Sequence, residues 1–136
     1  MMPPLFDGPI EVEPGVRGTA VRAVPQTLAI FDHHFPRFPV LPGVLLLDDA
    51  ATVAGLVLGG GWRLAGVAGV RYRHYVRPGD RAVITAEVVS VDGDDAVCRA
   101  QVRVEGRAVT TIRNLRLTRA ATTLPALAGS TAEENR

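Results

Sequence analysis

Alternation of apolar and polar side chains predicts that most of the second half of the chain is sheet. In residues 96–104, "AVCRAQVRV", every second residue is Ala, Cys or Val, and arginine or glutamine fills most positions between them. A period of two is typical of a strand with one buried face. Residues 81–91 and 107–119 are rich in β-branched residues and predict two further strands. The turns at 92–95 and 105–106 are short, so the sheet is predicted to be antiparallel.

Another strand is predicted over residues 70–77, where apolar or aromatic side chains alternate with arginine and tyrosine. One face of this strand would carry Val70, Tyr72, His74 and Val76. On this pattern His74 is interpreted as an ordinary strand histidine, and residues 78–80 as the turn that follows. Nearer the N-terminus, residues 10–24 predict a short strand, a Pro-Gly turn and a second strand.

One helix is predicted, over residues 43–58, and it is apolar on nearly every face. Such a helix is buried all round, so we expect an α+β fold in which the sheet curls around it and a partner subunit covers the remainder. Asp48 and Asp49 would each cost about 2.5–3.5 kcal/mol at a bilayer centre, which favours a core helix over a membrane span. Residues 59–61, "GGG", end the helix, and four prolines within 25–42 predict a stiff loop before it.

The composition fits one globular domain and argues against a nucleic-acid partner, an internal disulfide and a metal site built on cysteines. The chain has 136 residues, 47% of them hydrophobic; residues 1–119 are predicted to form the domain and 120–136 a mobile tail. A net charge of +1 argues against nucleic-acid binding. The single cysteine, Cys98, excludes an internal disulfide and a metal site built on cysteines, and its place on an apolar strand face predicts core packing. With no signal peptide recognisable, the protein is predicted to be cytoplasmic.

Two side chains suited to acid–base chemistry flank the start of the helix. His34 lies in the proline-rich loop and Asp48 lies fourteen residues later, within the helix. A histidine that acts as a base and a carboxyl that burial keeps protonated are the groups that general acid–base catalysis uses. Between them, Pro42 and Gly43 begin the helix, where unpaired backbone N–H groups could polarise a carbonyl. The residues alone leave a second interpretation open, in which His34 is a hydrogen-bonded loop residue and Asp48 a cap or an arginine partner.

Helical spacing separates the two adjacent aspartates. Asp48 shares one face with Val44, Thr52 and Gly55, and these mostly small residues leave room for a substrate. Asp49 lies about 100° further round the helix, so the two aspartates are not predicted to face one pocket as a pair. His33 could be a second base, but no third metal ligand lies near it in the sequence, and no metal site is predicted.

The stretch from His34 to Asp48 resembles a known family signature. Residues 34–48, "HFPRFPVLPGVLLLD", resemble the H-F-P-G-x-P-x-x-P-G-V-L-x-x-E signature of the FabZ-type (3R)-hydroxyacyl-[acyl-carrier-protein] dehydratases. Residues 10–24 resemble the first hairpin of that family, 70–88 its F-x-x-x-V-x-P-G-D-x-L segment, and 100–117 its final hairpin. The resemblance implies the hotdog fold, an antiparallel sheet wrapped around one long helix, with each active site shared between two subunits of a dimer.

The resemblance also implies roles for individual residues. His34 matches the catalytic histidine, Asp48 the catalytic carboxylate, and Gly43 the backbone donor to the thioester carbonyl. The neighbouring substrate-binding positions would be Phe35, Pro42, Val44 and Thr52. Several positions depart from the signature: the usual glutamate is Asp48, as in the related FabA-type dehydratases, and the usual glutamine one turn later is Thr52, which lacks an amide donor. His33 and Arg37 replace glycines.

The implied reaction is reversible dehydration of a 3-hydroxyacyl thioester carried on the phosphopantetheine arm of acyl carrier protein. It needs neither a metal nor an organic cofactor, and it involves no membrane. We expect a homodimer, or a larger homo-oligomer built of dimers. A basic surface for the acidic carrier protein could be formed by Arg71, Arg73, Arg77, Arg113, Arg116 and Arg119, which could equally be a solvated strand face. Two other functions stay open: a weak or inactive hotdog subunit that partners an active dehydratase, and an acyl-thioester hydrolase.

Overall fold

In the residues that the structure describes, one antiparallel sheet packs against one long helix. A computed structural model describes residues 6–24 and 43–120, apart from the side chain of Val44. The elements are β1 (Glu11–Glu13), β2 (Arg17–Ala23), α1 (Gly43–Val57), β3 (Trp62–Tyr72), β4 (Arg81–Asp92), β5 (Asp95–Val104) and β6 (Arg107–Arg119). The predicted loop at 25–42 and the predicted tail beyond residue 120 lie outside the described residues.

The six strands form a single sheet in the order β1-β2-β4-β5-β6-β3, and every neighbouring pair is antiparallel. The predicted hairpins are confirmed. Glu105 and Gly106 join β5 to β6 with φ angles of 52° and 76°, the left-handed conformations that a two-residue hairpin loop of this kind requires. Strand β3 lies at one edge of the sheet and pairs only with β6 among the described strands.

The core lies between α1 and the face of the sheet that the alternating apolar residues cover. Val53 and Ala54 of the helix are buried together with Ile84 of β4 and Leu115 of β6. Cys98 is fully buried among them, as the alternation predicted, and burial raises the pKa of its thiol to about 11. The helix observed at Gly43–Val57 matches the predicted one to within a residue. No helix in the part of the chain that the structure describes is long and apolar enough to span a membrane.

The prediction of a strand over 70–77 is wrong in its bounds. Strand β3 begins eight residues earlier, at Trp62, and ends at Tyr72, so His74 lies outside it. The chain leaves the sheet there because the backbone amides of Arg73 and His74 both donate to the carbonyl of Val109, at 2.8 and 3.4 Å. One carbonyl accepting two successive amides ends the regular ladder.

The segment after β3 leads from that edge of the sheet to β4, which lies next to β2. The amide of Gly79 donates to the carbonyl of Val24 at 2.8 Å, and the amide of Val24 donates to the carbonyl of Asp80 at 3.0 Å. The Asp80 carboxylate accepts the backbone N–H of Arg77 at 2.8 Å, which confirms Asp80 as a turn residue.

Candidate active site

The N-terminus of α1 is in contact with the end of β3. Gly43 is the first helical residue, and a β-carbon added to it would stand 2.5 Å from Cε1 of Tyr72 and 2.8 Å from Cζ. A side chain at position 43 would therefore displace the tyrosine ring. Glycine at this position leaves room for the tip of the Tyr72 side chain, in addition to the access for a ligand that the sequence suggested.

Asp48 lies one helical turn further on, and its carboxylate is unengaged within the described part of the chain. The residue is half-buried, and no hydrogen bond or ion pair joins its side chain to another described residue. Thr52, on the same face, donates its hydroxyl to the backbone carbonyl of Asp48 at 3.0 Å. Among the described residues the carboxylate thus has no partner, whereas the threonine proton is used within the helix.

The neighbouring aspartate has a different role. Asp49 is 1% exposed and accepts two hydrogen bonds from Arg22 of β2, which is 2% exposed: Nε to Oδ2 at 2.5 Å and Nη2 to Oδ1 at 2.7 Å. Burial raises the pKa of the Asp49 carboxyl, and this exceeds the lowering by the hydrogen bonds and charge of Arg22. The bidentate pair fastens the helix to the sheet beside Asp48.

The predicted site residues fall into two groups. Gly43, Asp48 and Thr52 lie along the first ten residues of α1, where Asp48 and Thr52 are one turn apart on the same side of the helix. The other predicted site residues are outside what the structure describes: His33, His34, Phe35 and Pro42 in full, and Val44 in its side chain. The structure therefore gives the positions of Asp48 and Gly43, whereas their catalytic roles and the position of His34 stay predictions.

Sequence reasoning missed Arg22 and Tyr72. A signal for Arg22 was present, because alternate residues of β2 face the core and Ala20, Arg22 and Val24 are all buried. An arginine at a core-facing position needs a buried acidic partner. For Tyr72 the contact with Gly43 depends on the tertiary fold, and no local pattern predicts it.

A groove lined by arginines lies on the opposite face of the sheet from α1. Its volume is about 600 Å³, and its charged lining residues are Arg71, Arg73, Arg99, Arg113 and Glu87. Arg99 donates to Glu87 at 3.0 Å, so the other three arginines supply the excess positive charge. Of the six arginines proposed for a basic surface, Arg71, Arg73 and Arg113 meet here.

The remaining arginines of that proposed surface lie elsewhere. Arg119 pairs with Asp94 at 3.2 Å and lies 4.6 Å from the ring centroid of Trp62, which is half-buried at the start of β3. Arg116 lies over Gly66 of β3. The described residues 6–24 and 43–120 contain no cluster of three His, Cys, Asp or Glu side chains that could hold a metal ion.

Comparison with known proteins identifies the family. The chain matches the family model of the ApeI-like proteins, described as ApeI dehydratase, over residues 14–111. This protein belongs to the ApeI-like dehydratase family. Members of the curated FabZ group are similar to it along most of their length: the 3-hydroxyacyl-[acyl-carrier-protein] dehydratase FabZ of Listeria welshimeri is 34% identical over 109 residues, 75% of this chain and 76% of that protein. The FabZ of Caldicellulosiruptor bescii is 35% identical over 112 residues, covering 77% and 80%.

Solved structures confirm the hotdog fold of this ApeI-like protein. The dehydratase heterocomplex ApeI:P from Xenorhabdus doucetiae contains a chain that matches with a TM-score of 0.72 at 20% identity, over 87% of this chain and 100% of that one. The (R)-hydratase from A. caviae involved in PHA biosynthesis matches with a TM-score of 0.64 at 16% identity, over 78% and 96%. The expected architecture, a sheet packed on one long helix, is thus found in the described part of this protein and is supported by its structural neighbours.

Proposed function

We propose that this protein dehydrates (3R)-hydroxyacyl thioesters on acyl carrier protein to trans-2-enoyl thioesters. The proposal rests on the different surroundings of two adjacent aspartates. Asp49 is held by Arg22, and Asp48 is left without a partner among the described residues, on the helix that begins at Gly43. Membership of a dehydratase family, and relatives named for this reaction, support the same substrate class.

The reaction assigns one proton movement to each catalytic group. Neutral His34 takes the C2 proton, which the thioester makes acidic, and the negative charge that develops on the carbonyl oxygen is held by the N–H of Gly43. The electron pair left at C2 forms the C2–C3 double bond as the bond from C3 to its hydroxyl breaks. Asp48 gives a proton to that hydroxyl, which leaves as water. The reaction consumes no oxidant or reductant, and we propose that it needs no metal or organic cofactor.

We propose further that the working unit is a homodimer, with His34 of one subunit facing Asp48 of the other. The free edge of β3 supports this arrangement, because eleven residues, Trp62–Tyr72, are paired on one side only among the described strands. An edge of that length is a template for pairing with a second copy. Residues 1–119 would form this dimerising unit, acting in the cytoplasm.

Replacement of His34 by alanine should abolish dehydration, since the variant loses the proposed base, and it should leave the dimer intact. Loss of the general base is expected to lower kcat by about 10²–10⁴-fold. Ultraviolet absorbance of the conjugated enoyl thioester reports the product, and size-exclusion chromatography reports the dimer. His33→Ala, one residue away, is the matched comparison: it should retain most of the activity, and a loss as large as that of His34→Ala would assign a base to His33 as well.

The same assay separates the rival functions. Release of a free thiol in place of an enoyl product would indicate an acyl-thioester hydrolase. Neither product from the wild-type protein would indicate an inactive subunit. Full activity of the His34→Ala variant would contradict the role given to the histidine.

The arginine-lined groove is proposed as the surface that meets the acidic carrier protein. Reversing the charge of Arg113 should raise KM for a carrier-bound substrate about tenfold and weaken its dependence on salt, because steering by complementary charge is lost. The KM for the same acyl group on free pantetheine should not change. Arg81→Glu, an exposed site at the start of β4 outside the groove and away from the β3 edge, is the control. Equal effects on both substrates would exclude the groove as the carrier-binding surface.

A further inference from the structure

The tyrosine that touches Gly43 does so through the hydroxyl end of its ring. The atoms nearest the place of a β-carbon on Gly43 are Cε1, Cζ and, at 3.1 Å, the hydroxyl oxygen of Tyr72. The base of the ring is not among them. The polar tip of this side chain therefore lies at the first residue of α1, where the backbone N–H groups of a helix are unpaired.

Tyr72 is held there from the sheet. It is the last residue of β3 and lies opposite Thr110 of β6. The next amide, that of Arg73, donates to the carbonyl of Val109 at 2.8 Å and keeps the backbone against β6. A side chain anchored on a strand and resting on a helix is positioned more accurately than one on a loop.

The hydroxyl of Tyr72 is available to a ligand. It makes no hydrogen bond within the described parts of the chain, and the residue is 54% exposed. It also lines a groove of about 590 Å³ between the segment after β3 and the β5–β6 hairpin. Burial of the ring raises the pKa of the phenol above its ordinary value of 10.0, so the hydroxyl carries its proton at neutral pH and can donate it.

Two departures from the family signature change which polar side chains lie near the helix. The family signature has glutamine where this chain has Thr52, and the threonine hydroxyl is already donated to the carbonyl of Asp48. The signature F-x-x-x-V-x-P-G-D-x-L has phenylalanine where this chain has Tyr72. Relative to the signature, the chain thus lacks a glutamine amide on α1 and gains a tyrosine hydroxyl at the end of β3.

We propose that Tyr72 is a further catalytic residue, whose hydroxyl donates a hydrogen bond to the thioester carbonyl oxygen of the substrate beside the N–H of Gly43. The inference rests on the proposed dehydration. As C2 loses its proton, negative charge moves to that oxygen, and two donors share it. The phenol keeps its proton throughout, so the proton movements given above are unchanged. Removing one donor from a site of this kind lowers kcat by about 10²–10³-fold.

The variant Tyr72→Phe tests this role, because it keeps the ring and its packing against Gly43 and removes only the hydroxyl. We expect kcat to fall about a hundredfold with little change in KM, and the midpoint of thermal unfolding to stay the same. Tyr75→Phe makes the same chemical change three residues along the chain and should leave kcat unaltered. Equal kcat values for Tyr72→Phe and the wild-type protein would overturn the proposal.

A second measurement does not depend on turnover. The infrared band of a ¹³C-labelled enoyl thioester carbonyl can be recorded while the product is bound to His34→Ala and to His34→Ala/Tyr72→Phe. A donated hydrogen bond lowers the carbonyl frequency, so the band should lie lower when Tyr72 is present. Identical band positions would overturn the role of Tyr72 even in an active dehydratase. A band that responds to Tyr72 in a protein whose wild type forms no enoyl product would support the donor and contradict the proposed reaction.

Discussion

Replacement of Asp48 by asparagine is expected to lower kcat for dehydration by about 10²–10⁴-fold while leaving the protein folded. Asparagine has nearly the same shape as aspartate but cannot transfer a proton to the departing hydroxyl. The Asp48 side chain has no partner among the described residues, so its replacement breaks no hydrogen bond or ion pair there. Steady-state formation of the enoyl thioester gives kcat, and urea unfolding gives the stability.

The chain offers a matched control at the next position. Asp49→Asn is the same chemical change, but it removes the charge that Arg22 needs, so it should lower the free energy of unfolding strongly. The two variants should therefore differ: Asp48→Asn should lose activity, and Asp49→Asn should lose stability. If Asp48→Asn kept wild-type kcat, the carboxylate would not be the acid of this reaction.

Arg22→Ala is expected to lower the free energy of unfolding by about 3–5 kcal/mol, because it leaves the carboxylate of Asp49 buried without its partner. Both side chains of the pair are almost fully inaccessible, at 3% and 1% exposed, so water cannot replace the lost hydrogen bonds. Equilibrium unfolding in urea measures the change. A surface pair provides the comparison: Arg81 bonds Asp7 at 2.6 Å with both side chains about half exposed, and Arg81→Ala should cost less than about 1 kcal/mol.

A double variant separates the net contribution of the pair from the cost of breaking it. Arg22→Met with Asp49→Leu replaces both charges by apolar groups, and most of the lost stability should return, because a buried ion pair also bears the cost of removing two charges from water. The rise in the pKa of Asp49 on burial has the same origin. An Arg22→Ala variant as stable as the wild type would show that the pair does not fasten the helix.

The sequence predicts an element well where one of its faces is buried. Strands β4, β5 and β6 have alternating or β-branched apolar residues, and helix α1 is apolar on nearly every face; their observed bounds agree with the predicted ones within a few residues. Strand β3 is an edge strand, and most of its residues are exposed or only partly buried. Its first half, "WRLAGVA", therefore has no buried face to produce an alternation, and it is held by hydrogen bonds to β6 that leave no trace in side-chain type.

In the candidate site, too, the sequence predicts some features and the tertiary structure decides the others. Helical geometry alone placed Asp48 and Thr52 on one side of α1 and turned Asp49 away from them, because the angle between successive residues is fixed. Which aspartate binds an arginine was decided by the tertiary structure, since Arg22 is 27 residues away along the chain and reaches Asp49 only when β2 packs against the helix. Tyr72 meets Gly43 for the same reason. Local periodicity is encoded residue by residue, whereas a contact between two elements exists only once the sheet has closed over the helix.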